Sequence, residues 1–515
     1  MTSAAAAIPP RPPVNKWVVT GSIAFGSLMA TIDSSIVNVA LPVIRGELGA
    51  SLQEVTLIST VYMVAMVLVM PLTGFLGAFF GQKRVYIASL AIFVAGSALC
   101  GTARSLPMLV VWRIVQGIGG GALQPTQQAI LRQTFPPHEQ GMAMALFAMV
   151  IMVGPAIGPV LGGYITDNFA WPWIFYINLP VGLLGIFLTW RNVHEPEDVR
   201  VANRARAEAQ RAHVDWAGIA LLAVGVGALQ YVLEEGAGDD WFASETIVRM
   251  TFVSAVALIA FVIRELTATA PAVDLRLFRD STFTSGTIIA TIMFGMLMGS
   301  MFLLPVFMQE VLHFSATESG LALLPRTLAM MVASPLVGRL YNKVPPAWIV
   351  GAGVLLFAFG SWQMSHVTLD TSTASLVVPL AITGVAFACL FVPLTTAALT
   401  HIPRHRIADA AGLSSFARQI GGSIGLSIFA TLFSTYASQA RTTLSWQASA
   451  LRPELADPAT LHHVAREVAV QGTVLGIDRV FLLQGLAFLA VLPVLYFLRV
   501  GARPAAPAHV EIAME

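Results

Sequence analysis

The sequence predicts an all-α polytopic membrane protein that crosses the bilayer fourteen times, and three observations carry that prediction. Hydrophobic residues make up 56% of the 515 and charged residues only 11%, where a soluble domain carries roughly a quarter charged. The apolar residues fall in runs of about 20, which as helix cross a hydrocarbon core of ~30 Å. Lys and Arg alternate between rich and poor connecting segments in step with those runs, the pattern left when cations stay cytoplasmic. The same runs argue against a β-barrel, whose strands alternate apolar and polar over ~10 residues.

Residues 1–16, rich in Ala and Pro with Arg11 and Lys16, read as a short cytoplasmic tail. The apolar run behind them reaches about Ile44, too long for a signal-peptide core and without a clear cleavage site, so it is the first span. Spans are expected at 17–43, 54–77, 85–103, 107–132, 141–166, 172–190, 215–233, 246–265, 283–309, 317–341, 347–366, 375–399, 408–437 and 476–499. Breakers and charges mark the turns, as in Gly81-Gln82-Lys83-Arg84 and Pro136-Pro137-His138-Glu139. The cation-rich segments hold Lys83/Arg84, Arg132, Arg191 to Arg211, Arg264/Arg276/Arg279, Arg339/Lys343, Arg404/Arg406 and Arg499/Arg503. The cation-poor ones include Asp167–Pro172, the acidic stretch Glu234–Glu245, Glu310–Thr317 and His366–Ala374. A wrong helix count would put these phases out of step, so both termini are expected inside.

Two cytoplasmic linkers, 191–214 and 266–282, enclose spans seven and eight, and the first, rich in Arg, Ala and Glu, reads as partly helical. The chain therefore divides into the tail 1–16, a six-helix bundle at 17–190, linkers with two extra spans at 191–282, a second six-helix bundle at 283–499, and a cytoplasmic tail at 500–515. One external loop is long, about 438–475, with Arg441, Arg452, Glu454, His462, His463, Arg466 and Glu467. Residues 459–470 in it are patterned as a short amphipathic helix, either a solvated surface or a docking surface for a periplasmic partner.

A net charge of +1 gives no global case for nucleic acid. Cys100 and Cys389 both lie in apolar runs and read as buried thiols rather than a metal site or disulfide framework. No Walker A loop, HExxH or GxSxG occurs, and His462-His463 lacks nearby partner ligands, so neither an enzyme, a metal nor a cofactor is expected.

Ionisable groups inside spans cost at least ~2.5–3.5 kcal/mol each and mark function. Asp33 is the clearest, midway through the first span, whereas Glu47, Glu54, Asp167, Glu310, Glu318, Asp409 and Asp478 fall near span ends. An isolated carboxylate in a low-dielectric site, poised against a cation, can load and release protons; its alternative is a fixed partner for an arginine. Arg113 stands in span four with Gln116, Gly117, Gly120, Gln124, Gln127 and Gln128 on one stripe. That polar, small face lines a water-filled cavity or the bundle interior, where Arg113 holds an anion, biases the proton site or anchors structure. Arg326 and Arg418 also lie deep, giving three cations against one carboxylate. If they share a cavity it favours anionic or weakly acidic substrates; alternatively they bond helix carbonyls at Pro325 or near Gly421/Gly422. In span five, Gly154, Gly158 and Gly162 form one ridge interleaved with Pro155 and Pro159, either a close-packing face or a bending and sealing helix.

These motifs together resemble the major facilitator superfamily, in its fourteen-span drug:proton antiporter branch, the EmrB/QacA type. The resemblance covers nearly the whole chain. Ile32-Asp33-Ser34-Ser35-Ile36-Val37-Asn38-Val39-Ala40-Leu41-Pro42 is similar to the span-one motif. The run Arg113–Gly121 is similar to the span-four motif, and Gly154–Gly163 to the antiporter motif of exporters. Trp171–Pro180 and Arg418–Gly425 also look typical of the branch. The resemblance implies two six-helix bundles around a midplane substrate site, with the extra pair outside. It implies a proton-coupling role for Arg113, which joins the Asp33 expected from its burial as the proton carrier. Asn38, Gln116, Gln124, Gln128, Arg326 and Arg418 are the expected cavity residues. Gly154, Pro155, Gly158, Pro159 and Gly162, with Gly74, Gly81, Lys83 and Arg84 after span two, are the expected conformational motifs. One departure stands out: Ala78 occupies the acidic position of the motif after span two, which weakens gating by a charge pair there.

The expected function is proton-driven export of small amphipathic molecules from a bacterial inner membrane, with a periplasmic adaptor and outer-membrane channel as partners the resemblance implies. One proton falling through ~100 mV and ~1 pH unit releases roughly 3.7 kcal/mol, enough for a gradient on the order of 500-fold without ATP. The rivals are a narrow metabolite exporter, an importer, which the span-five motif opposes, and a non-transporting sensor or scaffold that would not need Asp33.

Overall fold

The computed structural model describes residues 15–210, 214–369, 371–451 and 458–497. Among the described residues fourteen helices are long and apolar enough to cross a membrane. Spans 1 to 7 are Lys16–Leu48, Glu54–Phe80, Gln82–Gly101, Leu106–Thr134, Pro137–Asn168, Trp173–Asn192 and Trp216–Glu235. Spans 8 to 14 are Glu245–Thr267, Ser281–Val311, Glu318–Leu340, Pro346–Met364, Thr373–Ala398, Arg404–Gln447 and Val464–Tyr496. Each falls on an apolar run anticipated from the sequence.

Local chemistry sets the boundaries. The Asn15 side chain caps span 1, and Gly49 ends it at φ 63°. Ser51 and Glu54 form a capping box for span 2, as Ser315 and Glu318 do for span 10. Gly81, at φ 86°, turns the chain between spans 2 and 3, a conformation L side chains rarely adopt. Span 4 pauses at Ala122, where Pro125 in the next turn has no N–H for the carbonyl of Gly121.

The packing repeats. In the first bundle span 1 lies against span 5 and span 4 against spans 2 and 3; in the second, span 9 lies against span 13 and span 12 against spans 10 and 11. Spans 7 and 8 pair with each other and lean on spans 2 and 13, outside both bundles. Gln230 of span 7 donates to Ser423 Oγ at 2.6 Å, anchoring that pair to the second bundle. Only 22% of the apolar window of span 8 is buried within the protein, and Phe252 and Ile259 face outward, as a lipid-facing helix requires.

The two bundles meet firmly at the cation-rich end. Arg132 donates to the carbonyl of Leu399 at 3.0 Å, and Arg404 and Gln133 exchange bonds at 3.0 and 3.1 Å. Asn342 donates to the carbonyl of His138 at 2.7 Å. A Cβ at Gly141 would lie 2.5 Å from the carbonyl oxygen of Gly338, so spans 5 and 10 cross there backbone to backbone. A cavity of about 1020 Å³ opens beside this seal, walled by Arg132, Tyr341, Lys343, His401 and Arg404 among others.

The expected long loop at 438–475 is largely absent as a loop. The helix of span 13 runs Ile407–Leu451 and that of span 14 begins at Pro458. The reason is local: from Ser438 to Leu451 the chain is polar but holds neither Gly nor Pro, so losing hydropathy does not end the helix. In the sequence, Pro453 follows the end of the first helix and Pro458 begins the second. Arg441 donates to Thr473 Oγ1 at 3.0 Å, and Gly472 and Gly476 seat against Arg441 and Ala437, tying the arms into a hairpin. Because span 14 starts early, Asp478 stands well inside its helix rather than at its mouth. The amphipathic segment 459–470 is the first part of that helix. The side chains of His462 and His463, nearly all of the tail 1–16 and the whole of 500–515 lie outside the described residues.

Candidate functional site

Asp33 is carried at the middle of span 1 with 0% exposure, and Arg113 on span 4 with 1%. Their side chains meet: Arg113 Nη1 donates to Asp33 Oδ2 at 2.6 Å. Gln116, one turn beyond Arg113, donates to Asp33 Oδ1 at 2.7 Å and accepts from Arg113 Nη1 at 2.7 Å. Asn178 of span 6 donates to Asp33 Oδ1 at 3.0 Å and to Ser97 Oγ at 3.0 Å, and Ser97 donates to the carbonyl of Phe175 at 2.8 Å. Arg113 Nε donates to the carbonyl of Ile58 at 3.1 Å. Its guanidinium lies 4.0 Å from the centre of the Tyr62 ring, a cation–π contact. Five helices thus converge on one sealed ion pair.

A buried pair survives only when its remaining lone pairs and protons are satisfied, and here they largely are. Arg113 cannot release a proton; Asp33 can accept one. A proton placed on Asp33 would cancel one charge and leave Arg113 unmatched.

Span 5 presses on the turn that carries Asp33. A Cβ at Gly154 would lie 2.2 Å from Thr31 Oγ1, and one at Gly158 would lie 2.4 Å from Ser35 Cβ. Gly162 meets Ile36 one turn on, while Pro155 and Pro159 remain inside the helix. From its other flank span 5 meets span 10, where Gly320 approaches Pro159. The ridge is therefore a close-packing face against the ion-pair helix, and the opposite flank of span 5 meets the second bundle. Gly158→Val is expected to destabilise the protein by about 1–3 kcal/mol through overpacking, read as a lower thermal unfolding midpoint, together with loss of transport.

The chain matches the Major Facilitator Superfamily over residues 23–426. It belongs to that superfamily. It is 35% identical over 496 residues to the multidrug export protein EmrB of Haemophilus influenzae, covering 93% of this chain and 95% of that one. The fatty acid resistance protein FarB of Neisseria gonorrhoeae is 36% identical, with 93% and 95% covered, and EmrB of Escherichia coli is 33% identical, with 93% and 94% covered. Among solved structures the fold is similar to the human organic anion transporter MFSD10, with a TM-score of 0.61 at 15% identity over 94% of this chain and 100% of that one. The proton:xylose symporter XylE gives 0.58 at 13%, covering 92% and 95%. The chain is thus a transport protein of the major facilitator superfamily, not an enzyme, and a multi-pass membrane protein.

The superfamily motif after span 2 is held in an unexpected way. A Cβ on Gly74 would fall 2.6 Å from the Cα of Asp409, so spans 2 and 13 touch there. With Ala78 unable to supply a carboxylate, Asp409 of span 13 supplies one, and Arg206 of the linker helix Glu197–Gln210 clasps it through two bonds of 2.6 and 3.1 Å. The same linker pairs Asp198 with Arg404, and Glu195 accepts from the Lys83 N–H at 2.9 Å. Lys83 Nζ donates to the carbonyl of Trp190 at 2.6 Å, while Arg84 is exposed. A charge pair does fasten this end, but its cation comes from the linker.

The other anticipated residues separate. Gln116 joins the ion pair, whereas Gln127 and Gln128 are fully buried beyond the break at Ala122, and Gln124 is half-buried there. Asn38 is exposed and accepts from Ser59 Oγ at 2.8 Å. Arg326 and Arg418 bind neither set of helix carbonyls considered for them. Arg418 donates to Ser414 Oγ and Ser415 Oγ at 2.9 and 2.8 Å, and Arg326 to Ser300 Oγ and Thr383 Oγ1 at 2.8 and 3.3 Å. Sequence reasoning missed Ser97, Tyr62 and the role of Asn178, neutral residues whose only signal is polarity inside apolar runs. Among the described residues no three His, Cys, Asp or Glu side chains converge as a metal site.

Proposed function

We propose that this protein is a proton-coupled exporter of small amphipathic compounds that works by alternating access. The observation that carries the reading is the sealed Asp33–Arg113 pair, on a turn of span 1 that packs against the glycine ridge of span 5. Asp33 stands on the turn against which span 5 packs, and span 5 meets span 10 of the second bundle from its other flank, so on this reading protonation acts on the contact between the bundles. The names of the relatives, multidrug export proteins at 33 to 35% identity, support the export direction.

On this reading the cation-rich end faces the cytoplasm of a bacterial inner membrane, both termini are inside, and the described state is sealed on that side. Asp33 takes a proton when the site opens outward and gives it up inside as substrate loads. The cavity beside Arg132, Lys343 and Arg404 is the cytoplasmic antechamber. The hairpin of spans 13 and 14 stands at the periplasmic end, where it would meet an adaptor leading to an outer-membrane channel.

The test is accumulation of a fluorescent amphipathic dye by inverted vesicles with an imposed proton gradient. Uptake that collapses when a protonophore dissipates the gradient is the expected result. Uptake indifferent to the gradient would remove proton coupling, and a protein that moves one dye of a wide panel would be a narrow exporter.

A further inference from the structure

Span 7 carries two polar side chains inside an otherwise apolar helix, and each is committed to a different bundle. Gln230 is 0% exposed; its Nε2 donates to Ser423 Oγ of span 13 at 2.6 Å and to Glu234 Oε1, one turn on, at 3.2 Å. Glu234 in turn accepts a hydrogen bond from the buried Thr60 hydroxyl of span 2. A single chain of hydrogen bonds thus runs from the first bundle to the second, Thr60 to Glu234 to Gln230 to Ser423, through a helix that belongs to neither. The turn after span 7 adds another hold on span 13, where Trp241 Nε1 donates to Thr431 Oγ1 at 3.0 Å. Asp240 and Trp241 take φ of 53° and 52°, a left-handed backbone that non-glycine residues keep only where their surroundings impose it.

The bridge sits where spans 2 and 13 part. At the cation-rich end they meet directly: a Cβ at Gly74 would lie 2.6 Å from Asp409 Cα, and one at Gly412 would lie 2.5 Å from the carbonyl oxygen of Met70. Toward the other end span 13 leaves span 2, touching mainly its residues 70–80, and span 7 packs against both. Leu222 and Val226 of span 7 share an apolar cluster with Val67 of span 2 and Leu413 of span 13, and Gly227 comes up against Val64. On the alternating-access reading, the cation-poor halves of spans 2 and 13 approach each other when the opposite end opens. A packed helix keeps its neighbours ~8–10 Å from its own axis, so that approach requires one side of the bridge to let go.

We infer that span 7 is a spacer that holds the cation-poor halves of spans 2 and 13 apart, with Gln230 and Glu234 as the positioning residues that bridge them, an inference that rests on the alternating-access reading above. Glu234 acts in the bridge as a hydrogen-bond acceptor rather than a proton carrier, since Thr60 and Gln230 both donate to it. The bridge weights the state sealed at the cation-rich end, and the cycle breaks it at Thr60 or at Ser423 each time that end opens.

The experiment uses full-length protein in lipid nanodiscs, with Cys100 and Cys389 replaced. Spin labels on Arg45→Cys and Gln439→Cys report the separation of the bundles at the cation-poor end, and labels on Arg84→Cys and Lys343→Cys, in a second preparation, report the sealed end. Thr60→Val, Gln230→Leu and Ser423→Ala each cut the bridge, whereas Glu234→Gln keeps an acceptor oxygen. Each cut is expected to raise the short-distance population at the first label pair, and the long-distance population at the second, by about fivefold, the worth of one hydrogen bond. Glu234→Gln should stay within about twofold of the parent protein. Thr60→Val and Ser423→Ala remove one hydroxyl each, so the result does not depend on a destabilised fold. If span 7 is merely anchored, the cuts will lower the thermal unfolding midpoint and leave both distance distributions unchanged, which overturns the spacer. Populations that shift in Glu234→Gln as they do in the cuts also overturn it, because the charge rather than the bridge would then set the balance. Dye accumulation by inverted vesicles, measured in parallel, separates the two readings. Populations that shift in a protein that pumps nothing leave the spacer and remove the exporter; a protein that pumps dye with unshifted populations remains an exporter without the spacer.

Discussion

Replacing Asp33 by Asn is expected to reduce proton-driven transport to background and to destabilise the protein at the same time. The two effects have separate causes. Asn still accepts from Gln116 and Asn178 but cannot match the charge of Arg113, which is 1% exposed and rests on the face of Tyr62. Stranding one member of a buried ion pair costs about 3–5 kcal/mol. Loss of transport by the single variant therefore proves little unless the fold is rescued. Combining Asp33→Asn with Arg113→Met removes both charges and replaces the guanidinium by an apolar chain of similar length, which is often neutral or stabilising for a buried pair. The double variant should regain most of the lost thermal stability while its transport stays at background. Recovery of gradient-driven transport in that variant would remove Asp33 from proton coupling and leave it a structural partner of Arg113.

Breaking the clasp between Arg206 and Asp409 is expected to loosen the sealed end. The pair is bidentate, Asp409 is only 5% exposed, and it sits on the backbone of Gly74. Removing such a contact shifts the balance between sealed and open states by about 2–4 kcal/mol, or roughly 30- to 700-fold. Spin labels on cysteines introduced at Arg84 and Lys343, with Cys100 and Cys389 replaced, report the separation of the two bundles there. Arg206→Ala should add a longer-distance population, and Arg206→Lys a smaller one, because an ammonium reaches only one carboxylate oxygen well. An unchanged distance distribution in Arg206→Ala would mean that the seal is carried by Arg132, Arg404 and Asn342 without the linker. Increasing ionic strength should act in the same direction as the substitution but more weakly, since the pair is mostly shielded from solvent.

Much of this arrangement was legible before any coordinates. Hydropathy and the alternation of cations define the spans because a bilayer penalises every charge and every unpaired backbone group within it. Asp33 and Arg113 stood out for that reason, and the glycine spacing of span 5 announced a close helix contact. What could not be read was partnership. Asn178 and Ser97 are neutral, so they leave no trace in a charge pattern, yet they complete the shell around Asp33. Arg206 belongs to a polar linker that resembles any solvated stretch, and its partner lies 203 positions away. The helix past Ser438 misled for a different reason. Hydropathy records where lipid ends, and helices end where the backbone is broken, which here is about a dozen residues later.

That pair of long helices has a mechanical consequence. The helix Ile407–Leu451 has 45 residues and its partner Pro458–Leu489 has 32, which correspond to ~68 Å and ~48 Å at the usual rise per residue, against a hydrocarbon core of ~30 Å. Both arms are rooted in the second bundle, so the part beyond the bilayer is a lever arm that turns with it. A point on these arms ~30 Å from the pivot travels about 5 Å for every 10° of rocking. Whatever grips that point feels the state of the transport cycle, and by reciprocity its grip weights one state over the other.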